Sequence, residues 1–218
     1  MSQEKRLVLL DTNLLVLVLL DPEILFPRMN ERDKILSLYA NEIYRRPDTT
    51  IIVPDLILDI EVPRVVLKQI VTECISDQRK LSMLLNAIKS LREDIESAEI
   101  LGKYKLFKVW NSRRLRTAAR LYNRIRIRIS QKTEHDISKF LKTKHQDVLL
   151  LAVAKLENAI IVTADSDFKY FVKEGDIDVP VCYINVDKDA RAVQISLLNV
   201  SDTDRAWFAE INEKVRQK

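Results

Sequence analysis

Glycine and histidine are the scarcest features of this sequence. Gly102 and Gly175 are the only glycines in 218 residues, and His135 and His145 are the only histidines. Two isolated glycines cannot form the glycine-rich loop of dinucleotide-binding proteins or a Walker A loop. Few histidines argue against a zinc site built on imidazole. The sequence therefore excludes nucleotide binding through such loops and points away from histidine-rich metal sites.

Paired cysteines and long apolar runs are also missing. Cys74 and Cys182 form no CxxC pair, so we expect reduced thiols in a cytoplasmic protein. The longest apolar run, residues 7–20, is interrupted by three polar residues at 11–13. We therefore expect neither a membrane span nor a secretory signal. Apolar residues make up 47% of the chain and charged residues 31%, which is typical of a soluble globular protein.

Positive charge is concentrated in one segment. Residues 103–145 contain 14 Lys and Arg against 2 acids, whereas the rest of the chain contains 22 basic residues against 30 acids. This imbalance favours a phosphate-binding surface, with a solvated helix face as the alternative. Residues 124–129 alternate as a strand would, yet helical spacing upstream favours one helix running through them. The arginines expected to contact phosphates are Arg113, Arg114, Arg116, Arg120, Arg124, Arg126 and Arg128.

Short apolar runs alternate with helical patterns along the chain. This alternation predicts an α/β fold whose largely parallel sheet is covered on both faces. The predicted strands are 6–10, 51–53, 159–162, 181–184 and 193–200. The predicted helices are 31–44, one or two between 64 and 101, 148–157, 168–173, and a last one after residue 201.

Acids occur where several of these predicted elements begin or end. They are Asp11, Asp147, Asp165, Asp167 and, near the start of one helix, Asp59 and Glu61. Side chains that follow parallel strands meet at one edge of a sheet, where open α/β sheets bind ligands. Converging carboxylates repel one another unless a cation lies between them. Oxygen donors of this kind suit Mg²⁺ or Mn²⁺.

A metal site of this composition has a chemical use. It can orient a water molecule, lower its pKa and stabilise charge on a phosphodiester, as metal-dependent nucleases do. Each acid also has a structural explanation, because a strand-end Asp often belongs to a turn and Asp147 could simply cap a helix. The order of the acids along the chain favours the metal site.

The motifs that contain these acids resemble those of PIN-domain ribonucleases. The resemblance is carried by Leu-Leu-Asp11-Thr12-Asn13, by Asp147 with Ala152 and Ala154, and by residues 162–168, VTADSDF. It covers residues 6–62 and 144–185. It implies a compact three-layer α/β/α sandwich with a central, mostly parallel sheet. We expect a single domain over residues 1–218, with residues from about 80 to 143 forming a helical, basic insertion.

The resemblance also implies roles for individual residues and a reaction. The expected catalytic residues and metal ligands are Asp11, Glu61 (with Asp59 as the alternative helix acid), Asp147 and Asp165, with Asp167 assisting as a ligand and Asn13 and Thr163 orienting the acids. Asp59 and Glu61 cannot both face one site along a regular helix. The implied activity is Mg²⁺- or Mn²⁺-dependent cleavage of single-stranded RNA.

The sequence is also compatible with other functions. The chain could be a toxin of the VapC type, held inactive by an antitoxin-like protein, and the helical segment could form a homodimer or partner surface. It could be a catalytically inactive RNA-binding or scaffold protein, although an uncompensated acid cluster costs stability. A phosphomonoesterase with a nucleophilic Asp would want a second acid two residues after Asp11, where the chain has Asn13.

Overall fold

A computed structural model of the chain describes residues 5–19, 30–72, 77–108, 111–131, 144–186 and 193–218. The strands are β1 (Arg6–Leu10), β2 (Thr49–Pro54), β3 (Tyr104–Phe107), β4 (Ile160–Thr163), β5 (Val181–Val186) and β6 (Val193–Leu198). The α-helices are α1 (Thr12–Leu19), α2 (Glu31–Arg45), α3 (Val62–Thr72), α4 (Gln78–Ile100), α5 (Ser112–Ser130), α6 (His145–Glu157), α7 (Ser166–Glu174) and α8 (Asp202–Arg216). A π-helical turn (Ile57–Glu61) precedes α3.

The strands form one sheet in the order β3-β2-β1-β4-β5-β6. The first five are parallel to their neighbours, and β6 runs antiparallel beside β5. The chain moves from β1 to β2 on one side and later places β4 on the other side of β1. The carboxyl ends of β1 and β4 therefore border a topological switch point, where open sheets of this kind bind ligands.

Helices cover both faces of the sheet. Right-handed crossovers place the helices between β1 and β2 on one face and those between β3 and β5 on the other. The contacts agree, because α2 packs on β2 and β5 together with α1 and α8, whereas α6 packs on β1 and β4 and α7 packs on β5. Every residue of β2 and β4 is buried. The predicted three-layer α/β fold with a mostly parallel sheet is confirmed.

Local signals explain several of the helix boundaries. The Asn30 side chain accepts a hydrogen bond from the Asp33 amide at the start of α2, and the Ser201 hydroxyl accepts one from the Asp204 amide at the start of α8. Gly102, at a φ of +67°, turns the chain after α4. Helix α5 continues through residues 124–129, so the helical interpretation of the alternating arginines is confirmed.

Two elements differ from the sequence-based expectation. Helix α1 was missed because its residues continue the apolar run of β1, which hides the change of period. Strand β3 lies within the segment of about 80–143 that was expected to be helical, and that part of the expectation is wrong. Its four residues pair with β2, and Tyr104 and Phe107 are buried. Burial against α4 and β2 gives this short segment a stability that its sequence alone does not indicate.

Cys182 is a free, buried thiol in β5, and burial raises its pKa far above the usual value. Cys74, His135 and the side chain of His145 lie outside the described residues. Among the helices that the structure describes, none combines the length and the apolar character that a membrane crossing requires.

Candidate metal centre

Four predicted site acids line one cleft at the switch point of the sheet. They are Asp11 after β1, Glu61 at the end of the π-helical turn, Asp147 in the first turn of α6, and Asp165 after β4. The cleft has a volume of about 150 Å³, and its apolar walls include Ile57, Val65 and Phe168. We call these four acids and their surroundings the acid cleft.

Asp11 is buried in the acid cleft, and hydrogen bonds fix both of its carboxylate oxygens. It is 4% exposed. Its Oδ1 accepts a hydrogen bond from the Leu14 amide at 3.0 Å, which makes it the N-cap of α1. Its Oδ2 accepts hydrogen bonds from the Thr163 hydroxyl and, at 3.3 Å, the Ala164 amide. Burial raises the pKa of Asp11, and these hydrogen bonds oppose the rise without cancelling it.

Thr163 connects the acids that follow β1 and β4. Its hydroxyl donates to Asp11 and accepts a hydrogen bond of 2.9 Å from the Asp165 amide. Asp165 in turn caps α7, because its Oδ1 accepts the Asp167 amide at 2.9 Å. Thr163 thus has the contacts expected of an orienting residue. Asn13 lines the rim of the cleft, and its side chain makes no hydrogen bond to an acid within the described residues.

Asp147 has a strongly perturbed acidity. Burial is the main cause and raises its pKa to about 6, with the nearby charges of Asp165, Asp167 and Asp11 adding to the rise. The ammonium of Lys144 acts in the opposite direction. Asp147 is therefore mostly ionised at neutral pH and gains a proton in mildly acidic solution.

The π-helical turn separates the two candidate helix acids. Glu61 faces the acid cleft, where its side chain is 11% exposed and accepts a hydrogen bond from the Gln146 amide group. Asp59 points to solvent with 52% of its side chain exposed, and both of its oxygens lie 2.7 Å from Arg92 Nη2. The structure therefore places Glu61, and not Asp59, beside the other acids.

The donor set of the cleft fits a divalent cation. Asp147, Asp165 and Asp167 can each offer one oxygen, and these three oxygens lie within 4.8 Å of one another. Asp11 and Glu61 line the same cleft with further carboxylates. Mg²⁺ and Mn²⁺ prefer oxygen ligands of this kind. These three aspartates can therefore hold a metal ion.

A lysine lies among the same carboxylates. The Lys144 ammonium is 3.8 Å from Asp147 Oδ2, 3.8 Å from Asp165 Oδ2, and in direct contact with Asp167 Oδ2. Its hydrogen bond to Asp167 is the main reason why the pKa of Lys144 is raised. Sequence reasoning missed this residue. Its position three residues before Asp147 was visible, but nothing in the pattern indicated that it also reaches the loop after β4.

A second groove adjoins the acid cleft. Its volume is about 450 Å³, and it shares Asn13, Val65 and Asp165 with the cleft. Its lining contains two cations, Arg32 of α2 and Lys68 of α3, together with the acids Asp33 and Asp165. Neither cation belongs to a motif by which the groove could have been predicted.

The seven predicted phosphate-binding arginines lie along α5 but not equally near the acid cleft. Arg114 stacks on Phe107, the last residue of β3, with 3.8 Å between the guanidinium carbon and the ring centre. The first turn of α5 is therefore at the same edge of the sheet as the cleft. Arg124 and Arg128 instead pair with Asp176, at 3.0 and 3.9 Å. Asp176 follows the end of α7, about 13 Å along that helix from the cleft.

Comparisons with known proteins leave the family of the chain undecided. No protein-family model matches the sequence, and no curated protein matches it. Among solved structures, the chain is similar to a crystal structure of VapBC2 from Rickettsia felis bound to a DNA fragment from its promoter. The sequence identity is 16%, the TM-score is 0.35, and the match covers 75% of this chain and 92% of that one. A TM-score of this size carries no argument about fold or function.

Proposed function

We propose that the protein is a metal-dependent endoribonuclease that hydrolyses phosphodiester bonds in single-stranded RNA. The observation that carries the proposal is the convergence of Asp11, Glu61, Asp147 and Asp165 on one cleft from four separate elements. Asp11 and Asp165 also cap helices α1 and α7, but helix capping does not require four acids to share one cleft. Clustered carboxylates cost stability unless they bind a cation, so their convergence at the switch point is best explained by a metal-dependent reaction.

The proposed metal site uses Asp147, Asp165 and Asp167 as ligands, with Asp11 and Glu61 as further carboxylates of the same centre. A bound Mg²⁺ or Mn²⁺ ion would supply Lewis-acid activation of water and charge stabilisation at the phosphate. The chain's own contribution is to fix the carboxylates. Thr163 and the Leu14 and Ala164 amides hold Asp11, and Gln146 holds Glu61. Such orienting contacts stiffen a centre before substrate arrives.

The apolar walls of the cleft support the same proposal. Ile57, Val65 and Phe168 border the acids, and Phe168 is fully buried. Low-dielectric surroundings strengthen the attraction between the carboxylates and a cation. The same surroundings raise the pKa of Asp147, which makes cation binding the effective way to keep it ionised in acidic solution.

RNA binding is assigned in this proposal to cations at the cleft edge of the molecule. The arginines in the first turns of α5, Arg113, Arg114, Arg116 and Arg120, lie toward the edge that holds the cleft. Strand β3, which leads into them, is two strands from β1, a distance of about 10 Å. Arg32 and Lys68 in the adjoining groove, which Asp33 and Asp165 also line, add two further cations near the cleft. Backbone phosphates near a scissile bond would then meet basic residues.

The decisive experiment is cleavage of a labelled single-stranded RNA with Mn²⁺ or Mg²⁺, with a parallel reaction in EDTA. We expect metal-dependent cleavage that is lost in Asp147→Asn and Glu61→Gln. Asp59→Asn is the matched control, because it removes the same kind of charge outside the cleft, and it should cleave normally. Normal cleavage by Asp147→Asn, or no cleavage by the wild type with any metal while RNA binding persists, would refute the nuclease proposal.

The arginine assignment has its own test. Arg113→Gln combined with Arg116→Gln should weaken RNA binding and reduce the salt dependence by about 0.7 per lost phosphate contact. Arg124→Gln combined with Arg128→Gln is the control, since these arginines pair with Asp176. If affinity and salt slope were unchanged in Arg113→Gln/Arg116→Gln, and also after neutralising Arg124, Arg126 and Arg128 together, helix α5 would have no part in RNA binding.

A protein partner, either a second copy of the chain or an antitoxin-like protein, remains part of the proposal. Ile60, Leu67 and Val71 are 50, 56 and 75% exposed, and they project from the π-helical turn and α3 at helical spacing. An exposed apolar strip of this kind favours a protein contact. Light scattering of the purified protein would measure whether it is a dimer in solution, and Leu67→Lys should return a dimer to the monomer.

A further inference from the structure

Lys144 contradicts the local preferences of the helix that it begins. It is the N-cap residue of α6, its carbonyl accepts the Val148 amide, and its side chain makes no capping hydrogen bond. Helix N-caps favour Ser, Thr, Asp or Asn, whose oxygens accept free amide protons. A positive side chain is also repelled by the positive end of the helix dipole. A residue that breaks two local rules at once usually serves the site in which it lies.

The side chain of Lys144 has its favourable contacts in the acid cleft. Its ammonium approaches Asp147, Asp165 and Asp167, the same three residues whose oxygens lie within 4.8 Å of one another. Asp147 comes from α6, Asp165 follows β4 and Asp167 lies in the first turn of α7, so Lys144 joins the two halves of the site. Its side chain is 25% exposed, which leaves a path for the ammonium to move out to solvent.

We propose that Lys144 is the internal counter-cation of the acid cleft, and that a divalent metal ion must displace its ammonium to bind Asp147, Asp165 and Asp167. The inference rests on the metal site proposed above and adds a residue that sets the affinity of that site. Metal ligands lie roughly 2.0–2.6 Å from their ion. An ion bound to these oxygens would therefore lie close to the Lys144 ammonium, and the two positive charges would repel each other. Lys144 therefore holds the carboxylates together in the metal-free protein and competes with the metal.

This competition has two measurable consequences. Replacing Lys144 by an uncharged side chain should tighten metal binding, because no charge has to be moved. The same replacement should lower the thermal stability of the metal-free protein, because the three aspartates then repel one another with no positive charge between them. If Lys144 merely supported the fold, replacing it would lower the stability of both the metal-free and the metal-bound protein. The metal affinity would then be unchanged or reduced.

The test is calorimetric titration of Mn²⁺ into the full chain, without RNA, for the wild type and for Lys144→Met. We expect the Mn²⁺ dissociation constant of Lys144→Met to fall by about tenfold. We also expect a lower melting temperature in EDTA and a larger rise of that temperature when Mn²⁺ is added. Lys144→Arg keeps the charge and should bind Mn²⁺ as weakly as the wild type. Lys155→Met, an exposed change on the same helix, is the control for losing a positive charge anywhere on α6.

Each outcome of this test decides the inference separately from the nuclease proposal. Tighter Mn²⁺ binding by Lys144→Met supports it even if no RNA is cleaved, as does Mn²⁺ binding that occurs only in this variant. Unchanged or weaker binding overturns it even if the wild type is an active nuclease. Equal tightening in Lys155→Met would also overturn it, because the effect would then be general. If Lys144→Met does not fold, Lys144→Gln is titrated in its place with the same expected result.

Discussion

Charged side chains gather at both ends of the parallel sheet, and they are balanced in different ways. At the amino end, Asp48 accepts hydrogen bonds from Arg6 at 2.8 Å, Arg46 at 3.1 Å and the Trp207 indole at 3.1 Å. Arg6 also binds Asp204 at 2.8 Å, which ties α8 to β1. We call Arg6, Arg46, Asp48, Asp204 and Trp207 the amino-end cluster. At the carboxyl end, Asp147, Asp165 and Asp167 share Lys144.

The two ends differ in the acidity of their buried and partly buried carboxyl groups. Burial raises the pKa of Asp48, but the hydrogen bond and charge of Arg46, with help from Arg6, outweigh it and leave the pKa below its usual value. In the acid cleft, burial dominates and the pKa values of Asp11 and Asp147 are raised. Matched charges thus serve the fold at one end, whereas an excess of acid at the other end leaves a site that gains by binding a cation.

The largest expected effect belongs to the amino-end cluster. Trp207 is 3% exposed, and the guanidinium carbons of Arg6 and Arg46 lie 5.4 and 5.3 Å from its ring centre. Trp207→Ala should lower the free energy of unfolding by about 3–5 kcal/mol, measured by urea denaturation. Trp207→Phe, which keeps most of the ring, should lose less. If the surviving folded fraction of Trp207→Ala bound Mn²⁺ differently, the two ends of the sheet would not be independent.

In the acid cleft, a substitution is expected to raise the stability of the metal-free protein, whereas Trp207→Ala lowers it. Because the pKa of Asp147 is raised from 3.8 to about 6 in the folded protein, the native state binds more protons than the unfolded state between these values. Stability therefore falls as pH rises through this window, and ionised Asp147 costs stability above it. Asp147→Asn should make the metal-free protein more stable at neutral pH by about 1–3 kcal/mol, measured by thermal or urea unfolding in EDTA. A less stable variant would mean that the Lys144 contact outweighs the cost of burial.

A smaller effect is expected at the link between the two strand ends. Thr163→Val removes the hydroxyl that contacts both Asp11 and the Asp165 amide while preserving the side-chain shape. Loss of an orienting contact of this type should weaken metal affinity or cleavage by roughly 10- to 100-fold. Thr163→Ser keeps the hydroxyl and should retain most of the activity. Equal behaviour of the two variants would show that the position matters only for packing.

The smallest expected effect is the change of Mn²⁺ affinity with pH, which reports on Asp147 specifically. Protonation of Asp147 competes with the metal, so Mn²⁺ affinity should be constant above a pH of about 6 and fall by about tenfold per unit below it. Calorimetric titration at several pH values measures this directly. Asp59→Asn should show the same profile, since that acid lies outside the cleft. A flat profile through pH 6 would contradict the raised pKa of Asp147.

Much of the fold was accessible from local patterns. The strand run of Arg6–Leu10, the N-caps Asn30 and Ser201, and the helical spacing of α5 all predicted elements that the structure contains. Helix α1 was not predicted because its residues continue the apolar run of β1. Strand β3 was not predicted because four residues are too few to show a strand pattern. The acids were predicted in the right order for one edge of a sheet, since parallel strands deliver the residues after them to that edge.

The sequence by itself determined the residue types, the alternation of strands and helices, and the positions of the acids at element ends. Only the tertiary structure decided which acids share a cleft, that Glu61 faces it while Asp59 binds Arg92, and that Lys144 lies among three aspartates. The physical reason is that spacing along the chain fixes the direction of a side chain only relative to its own helix or strand. Its neighbours depend on how those elements pack, and so do the burial and electrostatic interactions that set the pKa of Asp147.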